Sequence, residues 1–153
     1  MGILFQLAGV LLVFLWRRPV SSSNPYASAV AVLLAIGAVW FSHVSLGSLG
    51  EQWSLVAGVT ERHRLICDGP YAIIRHPLYA CFFILTFATA LVWTYPGGAM
   101  IALSMFLIGV WIRIRTEEKL LRQTFGVQFD EYAKRVPALI PMLYPSANVR
   151  SDR

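Results

Sequence analysis

Two short stretches of this chain carry the residue types from which a reactive site is built. The first is His63–Tyr79, HRLICDGPYAIIRHPLY, which packs two His, two Arg, two Tyr, an Asp and a Gly-Pro turn into 17 positions. The second, about forty residues later, holds Arg113, Arg115, Glu117 and Glu118. Guanidinium groups suit carboxylates, and carboxylates suit ammonium and hydroxyl groups through charge-assisted hydrogen bonds. Tyrosine ring faces suit cations. Arg113 and Glu117 are four apart and share one helix face, while Arg115 and Glu118 share another. Glu118 and Arg122 read as a solvated pair finishing the helix. Arg113 and Glu117 sit closest to a long apolar run, where an ionisable group is costly to desolvate, so a functional pair stands level with a solvated pair finishing the helix.

The elements that position these residues follow from composition. Hydrophobic residues make up 57% of the 153-residue chain and charged residues 14%, against about 25% charged in an ordinary soluble domain. One domain is the most this length supports. Met1–Trp16, Tyr26–Gly50 and Leu78–Ile112 carry no charge. A bilayer core about 30 Å thick takes about 20 helical residues, so these runs read as membrane spans. As one helix the 35 residues of Leu78–Ile112 would reach about 52 Å. Tyr95-Pro96-Gly97-Gly98 breaks them into a tight antiparallel hairpin. The first run has no basic residues before it and no small-residue cleavage site after it, so it reads as a retained helix and not a signal peptide.

The expected fold is therefore all-α: a polytopic membrane protein with about four transmembrane helices and a cytoplasmic C-terminal helical cap. Residues 1–46 supply two spans, 47–76 a cytoplasmic loop and 77–112 the hairpin. Residues 113–141 form cytoplasmic helices completing the site, and 142–153 a tail. Of the 13 Lys and Arg, 11 fall in the second loop and after the last span. The positive-inside tendency makes that side cytoplasmic. The net charge of +5 reads as topology and attraction to anionic membrane lipids. Nucleic acid is a poor reading, because the basic residues lie at membrane edges.

Within the loop, Trp53 and Leu55-Val56 suit the headgroup level. His63–Ile66 reads as extended and Asp68-Gly69-Pro70-Tyr71 as a turn, with one helical turn over Ala72–Arg75. His76-Pro77 opens the third span, because Pro suits the first helical position. The last span, Ala99–Ile112, runs on as Arg113–Thr124 and stops at Phe125-Gly126. A final helix over Gln128–Val136 presents Phe129, Tyr132 and Val136, with Asp130–Lys134 and Glu131–Arg135 as i,i+4 pairs. Cys67 and Cys81 have no metal-type spacing, and a cytoplasmic disulfide is disfavoured. His43 reads as a packing residue, and no metal site is expected.

GPYAIIRHPLY followed by RIRTEEKLLRQTFGVQFDEYAKRVPALIP resembles the isoprenylcysteine carboxyl methyltransferase family of integral membrane enzymes. The phospholipid N-methyltransferases are relatives. The resemblance runs from about His63 to Pro141, and the first two spans match only as hydrophobic helices. It implies methyl transfer from S-adenosylmethionine to a lipid-like or lipidated acceptor entering from the bilayer. On this resemblance His63, Arg64, Leu65, Ile66, Tyr71, His76, Pro77, Leu78 and Tyr79 line the cofactor. Glu117 matches a cofactor-binding acid and Arg113 an arginine facing the acceptor. Cys81 stands where relatives often carry a small Gly, and Cys67 where Thr is common.

The residue types suit that chemistry. A helix N-terminus at Pro77 attracts a carboxylate, Tyr71 or Tyr79 suits a sulfonium, and Glu117 suits ribose hydroxyls and an ammonium. A carboxylate acceptor is already ionised at neutral pH, so alignment by Arg113 is the main source of rate. A soluble Rossmann methyltransferase is excluded by the lack of a glycine-rich loop. N-methylation of a phospholipid amine is the rival, needing a base that only His76 or Glu118 offers. A non-catalytic membrane protein binding headgroups is the other.

Overall fold

The structure is a computed structural model that describes residues 1–19, 24–50 and 65–139. Five α-helices follow in order: α1 (Gly2–Leu15), α2 (Pro25–Leu49), α3 (Pro77–Trp93), α4 (Pro96–Phe125) and α5 (Val127–Arg135). A 3₁₀ turn, Gly69–Ala72, precedes α3. No strand forms among the described residues, and Arg17 and Thr94 make a single antiparallel bridge.

Proline sets three of these starts. Pro25, Pro77 and Pro96 each stand at the first helical position, where the missing N–H removes a donor that would have no helical partner. This is why α4 begins at Pro96 and not at Ala99, leaving only Thr94 and Tyr95 between α3 and α4. Glycine sets the ends. Gly50 (φ +54°) closes α2 and Gly126 (φ +52°) closes α4, a backbone region open to glycine at little cost. α2 therefore runs three residues past the expected 46, into what was read as loop. Gly69 (φ +60°) and Pro70 start the 3₁₀ turn, so the helical turn expected over Ala72–Arg75 lies on Gly69–Ala72 instead.

α2 and α4, 25 and 30 residues long, are long and apolar enough to cross a membrane. α1 and α3 are apolar but shorter, at 14 and 17 residues, or about 21 and 26 Å at 1.5 Å per residue. The surface of these helices is apolar. Along α2 the buried residues are the small Ala31, Ala38 and Ser45, while Val32, Leu33, Ile36 and Trp40 face out. Large apolar side chains outside and small ones inside is the arrangement of helices packed in lipid. Hydroxyls in the apolar helices return to the carbonyl four residues back, as Thr86 does to Phe82 and Thr89 to Leu85.

The packing order departs from the hairpin reading. α3 and α4 are joined by a tight turn, yet each packs more extensively against an earlier helix: α4 on α1, α3 on α2. Bulky side chains hold the hairpin partners apart, with Phe83 and Phe106 ring centres 6.2 Å from each other. α1 and α4 instead touch backbone to backbone. A Cβ on Gly9 would lie 2.7 Å from the Ala102 carbonyl oxygen, and one on Gly109 would lie 2.6 Å from that of Gly2. These pairings make α1 antiparallel to α4. The N-terminus of α1 lies beside Arg113, and its C-terminus beside Gly98.

At that second end the 16–18 segment is tied to the 93–95 turn. Arg18 Nε and Nη2 donate to the Val92 and Leu91 carbonyls at 3.1 and 2.8 Å. These are among the last carbonyls of α3, which lack helical partners and favour a cation. Thr94 Oγ1 donates to the Val13 carbonyl at 2.9 Å. With α1 and α4 in register and α3 anchored to both, the opposite end of the bundle is where polar residues gather.

Candidate functional site

The site is built where the first turn of α3 meets the charged continuation of α4. Past the apolar stretch ending at Ile112, α4 presents Arg113 and Glu117 on the side that faces α3. Arg113 Nε donates to Tyr79 Oη at 3.1 Å, and Tyr79 Oη donates to Glu117 Oε2 at 2.8 Å. The Arg113 guanidinium carbon lies 5.2 Å from the Tyr79 ring centre. His76, at the N-cap of α3, places Nδ1 3.8 Å from Glu117 Oε2. Its ring stacks on Tyr79, with centres 5.6 Å apart and 25° between planes. His76, Tyr79, Arg113 and Glu117 thus converge on one point from two helices.

A second group backs the first. Arg75 donates through Nε and Nη2 to Glu118 Oε1 at 3.1 and 2.6 Å. Its Nη1 donates to the Ala133 and Val136 carbonyls at 2.7 and 2.8 Å. The Arg75 and His76 amides donate to the Pro137 and Ala138 carbonyls. One side chain and two amides therefore fasten the loop before α3 to α4, to α5 and to the segment after it. Beneath them lies the core of α5, Phe129, Tyr132, Ala133 and Val136, with Leu65 and Cys67 packed on it. Tyr132 Oη donates to the Tyr71 carbonyl at 2.6 Å.

The adjacent glutamates have opposite surroundings. Successive helical residues point about 100° apart, so the Glu117 side chain is 39% exposed and that of Glu118 only 8%. Burial by itself would raise the Glu118 carboxyl. His76 and the Arg75 guanidinium more than reverse this and hold it at about 2, below the usual 4.5. Burial first, and the Glu117 carboxylate second, keep the Tyr71 phenol above the ordinary tyrosine range.

Two expectations fail here. Glu118–Arg122 is no solvated pair: Glu118 is buried and held by Arg75, and Arg122 only touches its outer oxygen at 3.4 Å. Asp130 pairs with Arg122 at 3.1 Å and not with Lys134, and Arg135 Nε donates to the Glu131 carbonyl oxygen. The first follows from the loop before α3 setting Arg75 against α4 and the Asp130 pairing from α5 folding back on α4, which sequence spacing within one helix does not report. Arg75 and Glu118 were the residues missed as a pair. The signal available was that Glu118 is four past Ile114, on the buried face of α4.

Of the other residues singled out, Pro77 is buried at the start of α3 and Leu78 is half-buried there. No side chain caps that terminus. Leu65 and Ile66 are half-buried ahead of the turn. His63 and Arg64 lie outside the described residues, as do Trp53 and Leu55-Val56. Cys81 is 1% exposed, a packing residue of α3. No group of three or more His, Cys, Asp or Glu placed to hold a metal occurs among the described residues. An open groove of about 360 Å³ lined by Arg17, Arg18, Pro19 and Trp93 lies at the far end and contains none of these residues.

The donor set fits S-adenosylmethionine. An uncapped helix N-terminus, a partly exposed carboxylate, two tyrosine rings and the His76 ring with its Nδ1 toward that carboxylate lie within one polar cluster. The group's carboxylate, ammonium, hydroxyl and sulfonium functions call for such partners.

A family model for the isoprenylcysteine carboxyl methyltransferase (ICMT) family matches residues 30–123. Protein-S-isoprenylcysteine O-methyltransferase B of Arabidopsis thaliana is 39% identical over 87 residues, covering 54% of this chain and 42% of that protein. The nickel-cobalt-cadmium resistance protein NccN of Alcaligenes xylosoxydans xylosoxydans is 34% identical over 115 residues, covering 74% of this chain and 52% of its own length. The solved structure of the eukaryotic intramembrane Ras methyltransferase ICMT superposes with a TM-score of 0.67 at 23% identity, covering 78% of this chain and 44% of that one. That likeness is one of fold, and the chain spans about half the length of the proteins it matches. With more than half of its residues inside the family match and the fold in agreement, this chain belongs to the isoprenylcysteine carboxyl methyltransferase family.

Proposed function

We propose that the chain is a multi-pass membrane methyltransferase that uses S-adenosylmethionine to O-methylate a carboxylate on an isoprenylcysteine-like, lipophilic acceptor. The observation that carries this reading is the Arg113–Tyr79–Glu117 chain of hydrogen bonds, closed by His76, at the edge of the apolar helices. All four helices α1–α4 cross or nearly cross the bilayer in this proposal, with the site and the C-terminal helices on the cytoplasmic side. The basic residues and the antiparallel seating of α1 on α4 support that orientation.

The cofactor supplies an activated methyl group on a sulfonium; the chain supplies position and charge. Its free N–H groups at the start of α3 would hold the amino-acid carboxylate. Glu117, with one oxygen bonded to Tyr79, would accept from the ammonium or ribose. Tyr71, Tyr79 and His76 would form the wall, with Leu78, Pro77, Ile66 and Leu65 as its apolar part and His63 and Arg64 completing it. Arg113 has its Nε engaged by Tyr79 and its Nη groups without a hydrogen bond among the described residues, so they suit an acceptor carboxylate. Such an acceptor arrives ionised, and rate comes from alignment.

N-methylation of a phospholipid amine would need a base. Glu118 is a poor one, being buried, bonded at Oε1 by Arg75 and held at about 2. Incubation of the detergent-solubilised protein with methyl-labelled S-adenosylmethionine and a farnesylated cysteine analogue tests the choice. Label released as methanol by alkali is the expected product. Alkali-stable label in a phospholipid would refute O-methylation, and no saturable heat with S-adenosylhomocysteine would refute the cofactor and leave a headgroup-binding protein.

A further inference from the structure

We propose that Glu118 is a positioning residue: locked by Arg75, it holds the His76 ring against Tyr79 on the cofactor side of the site. The inference rests on the cofactor reading above and extends it to two residues outside the cofactor-facing set.

The His76 side chain is 4% exposed, and its Nε2 has no hydrogen-bond partner among the described residues. Leaving a buried polar atom in that state costs about 1–3 kcal/mol, and buried polar groups without partners are few and call for an explanation. Glu118 Oε1 lies 3.4 Å away without making a hydrogen bond to it. The ring is therefore held by Tyr79 on one face and by the Glu118 charge, on a backbone fixed by the His76 amide hydrogen bond to the Ala138 carbonyl. Glu118 cannot move to follow the ring, because the same Oε1 takes two donors from Arg75. Arg75 is fixed in turn by the Ala133 and Val136 carbonyls and by its backbone N–H, which donates to the Pro137 carbonyl. The charge is thus a fixed wall, and His76 is set against it with Nδ1 directed to the partly exposed Glu117. One glutamate of the adjacent pair faces the site; the other holds the residue that flanks it.

Glu118→Gln keeps the shape and one acceptor oxygen for Arg75 while removing the charge. In the detergent-solubilised full chain, its Kd for S-adenosylhomocysteine should rise about tenfold. The melting temperature of the ligand-free protein should fall, because Arg75 loses its buried counter-charge, while the KM for the acceptor should stay close to the parent value. His76→Ala should raise the Kd at least 30-fold, and adding Glu118→Gln to it should change the Kd by less than twofold, because the two act through one ring. Arg122→Gln, which breaks the outer contact of Glu118 and the Asp130 pair but leaves Arg75 in place, should bind like the parent. Parent affinity in Glu118→Gln overturns the proposal, and so does a tenfold loss that persists in the His76→Ala background. If Glu118→Gln does not accumulate, Arg75→Lys must reproduce both the Kd rise and its disappearance with His76→Ala, or the proposal fails. Absence of binding in the parent overturns the cofactor reading and this inference together; parent-like binding in Glu118→Gln overturns the inference alone.

Discussion

Gly109→Ala should be among the most damaging small substitutions in the chain, although it adds one methyl group to an apolar helix. The added Cβ would stand 2.6 Å from the Gly2 carbonyl oxygen and 2.8 Å from the Gln6 backbone nitrogen and Cγ. Ordinary contact begins near 3.4 Å, so α1 and α4 must part by about 0.8 Å. The obstructing atoms include α1 backbone, which no side-chain rotation removes. Overpacking of this kind costs typically about 1–3 kcal/mol, and the backbone contact places it at the upper end. Replacing Gly by Ala within a helix returns about 1 kcal/mol, leaving a net loss of about 2 kcal/mol. Gly37, exposed on α2 with nothing within 4 Å of an added Cβ, is the control. Gly37→Ala should be neutral or stabilising by up to about 1 kcal/mol.

The loss should reach the chemistry as well, since Gly2 lies against Arg113 and a displacement near 1 Å can cost about 10²-fold in rate. Reversible unfolding in mixed detergent micelles, run beside a methylation assay, measures both effects. Equal stability of Gly109→Ala and Gly37→Ala would show that α1 does not seat on α4 as described.

Arg113→Lys should retain S-adenosylhomocysteine binding within about threefold and lose about 10²-fold in turnover, since an ammonium cannot reproduce a forked guanidinium; parallel calorimetry and labelled-methyl assays separate the two. Arg75→Ala should destabilise the protein by about 3–5 kcal/mol, because it leaves the Glu118 carboxylate buried without its partner, and thermal unfolding will record it. Because the folded pKa of Glu118 lies below its unfolded value, its contribution to stability is complete above about pH 4.5 and is lost as pH falls through about 2. Melting temperatures should therefore change little from this group between pH 7 and 5 and fall below that, with the acid fall shallower in Glu118→Gln.

Much of the architecture could be read from composition and punctuation alone. Uncharged runs marked the apolar helices, because the cost of burying charge in lipid is large and local to each segment. Pro77, Pro96 and Gly126 marked helix ends, because their restrictions on φ act within one or two residues. Arg113 and Glu117 could be paired by spacing, since a helix repeat brings residues four apart onto one face. His76 could be placed at a helix start from the proline after it.

What depended on tertiary structure were the choices between distant partners. That α4 packs on α1 rests on close backbone approach at Gly2, Gly9 and Gly109, and a glycine in an apolar run does not announce which helix it will meet. That Glu118 is buried while Glu117 stays partly open follows from where the loop before α3 crosses α4, which places Arg75 on one and Tyr79 on the other. Local rules act over one turn of helix; the site is made of contacts 34 to 61 residues apart in sequence, and only the packed bundle decides those.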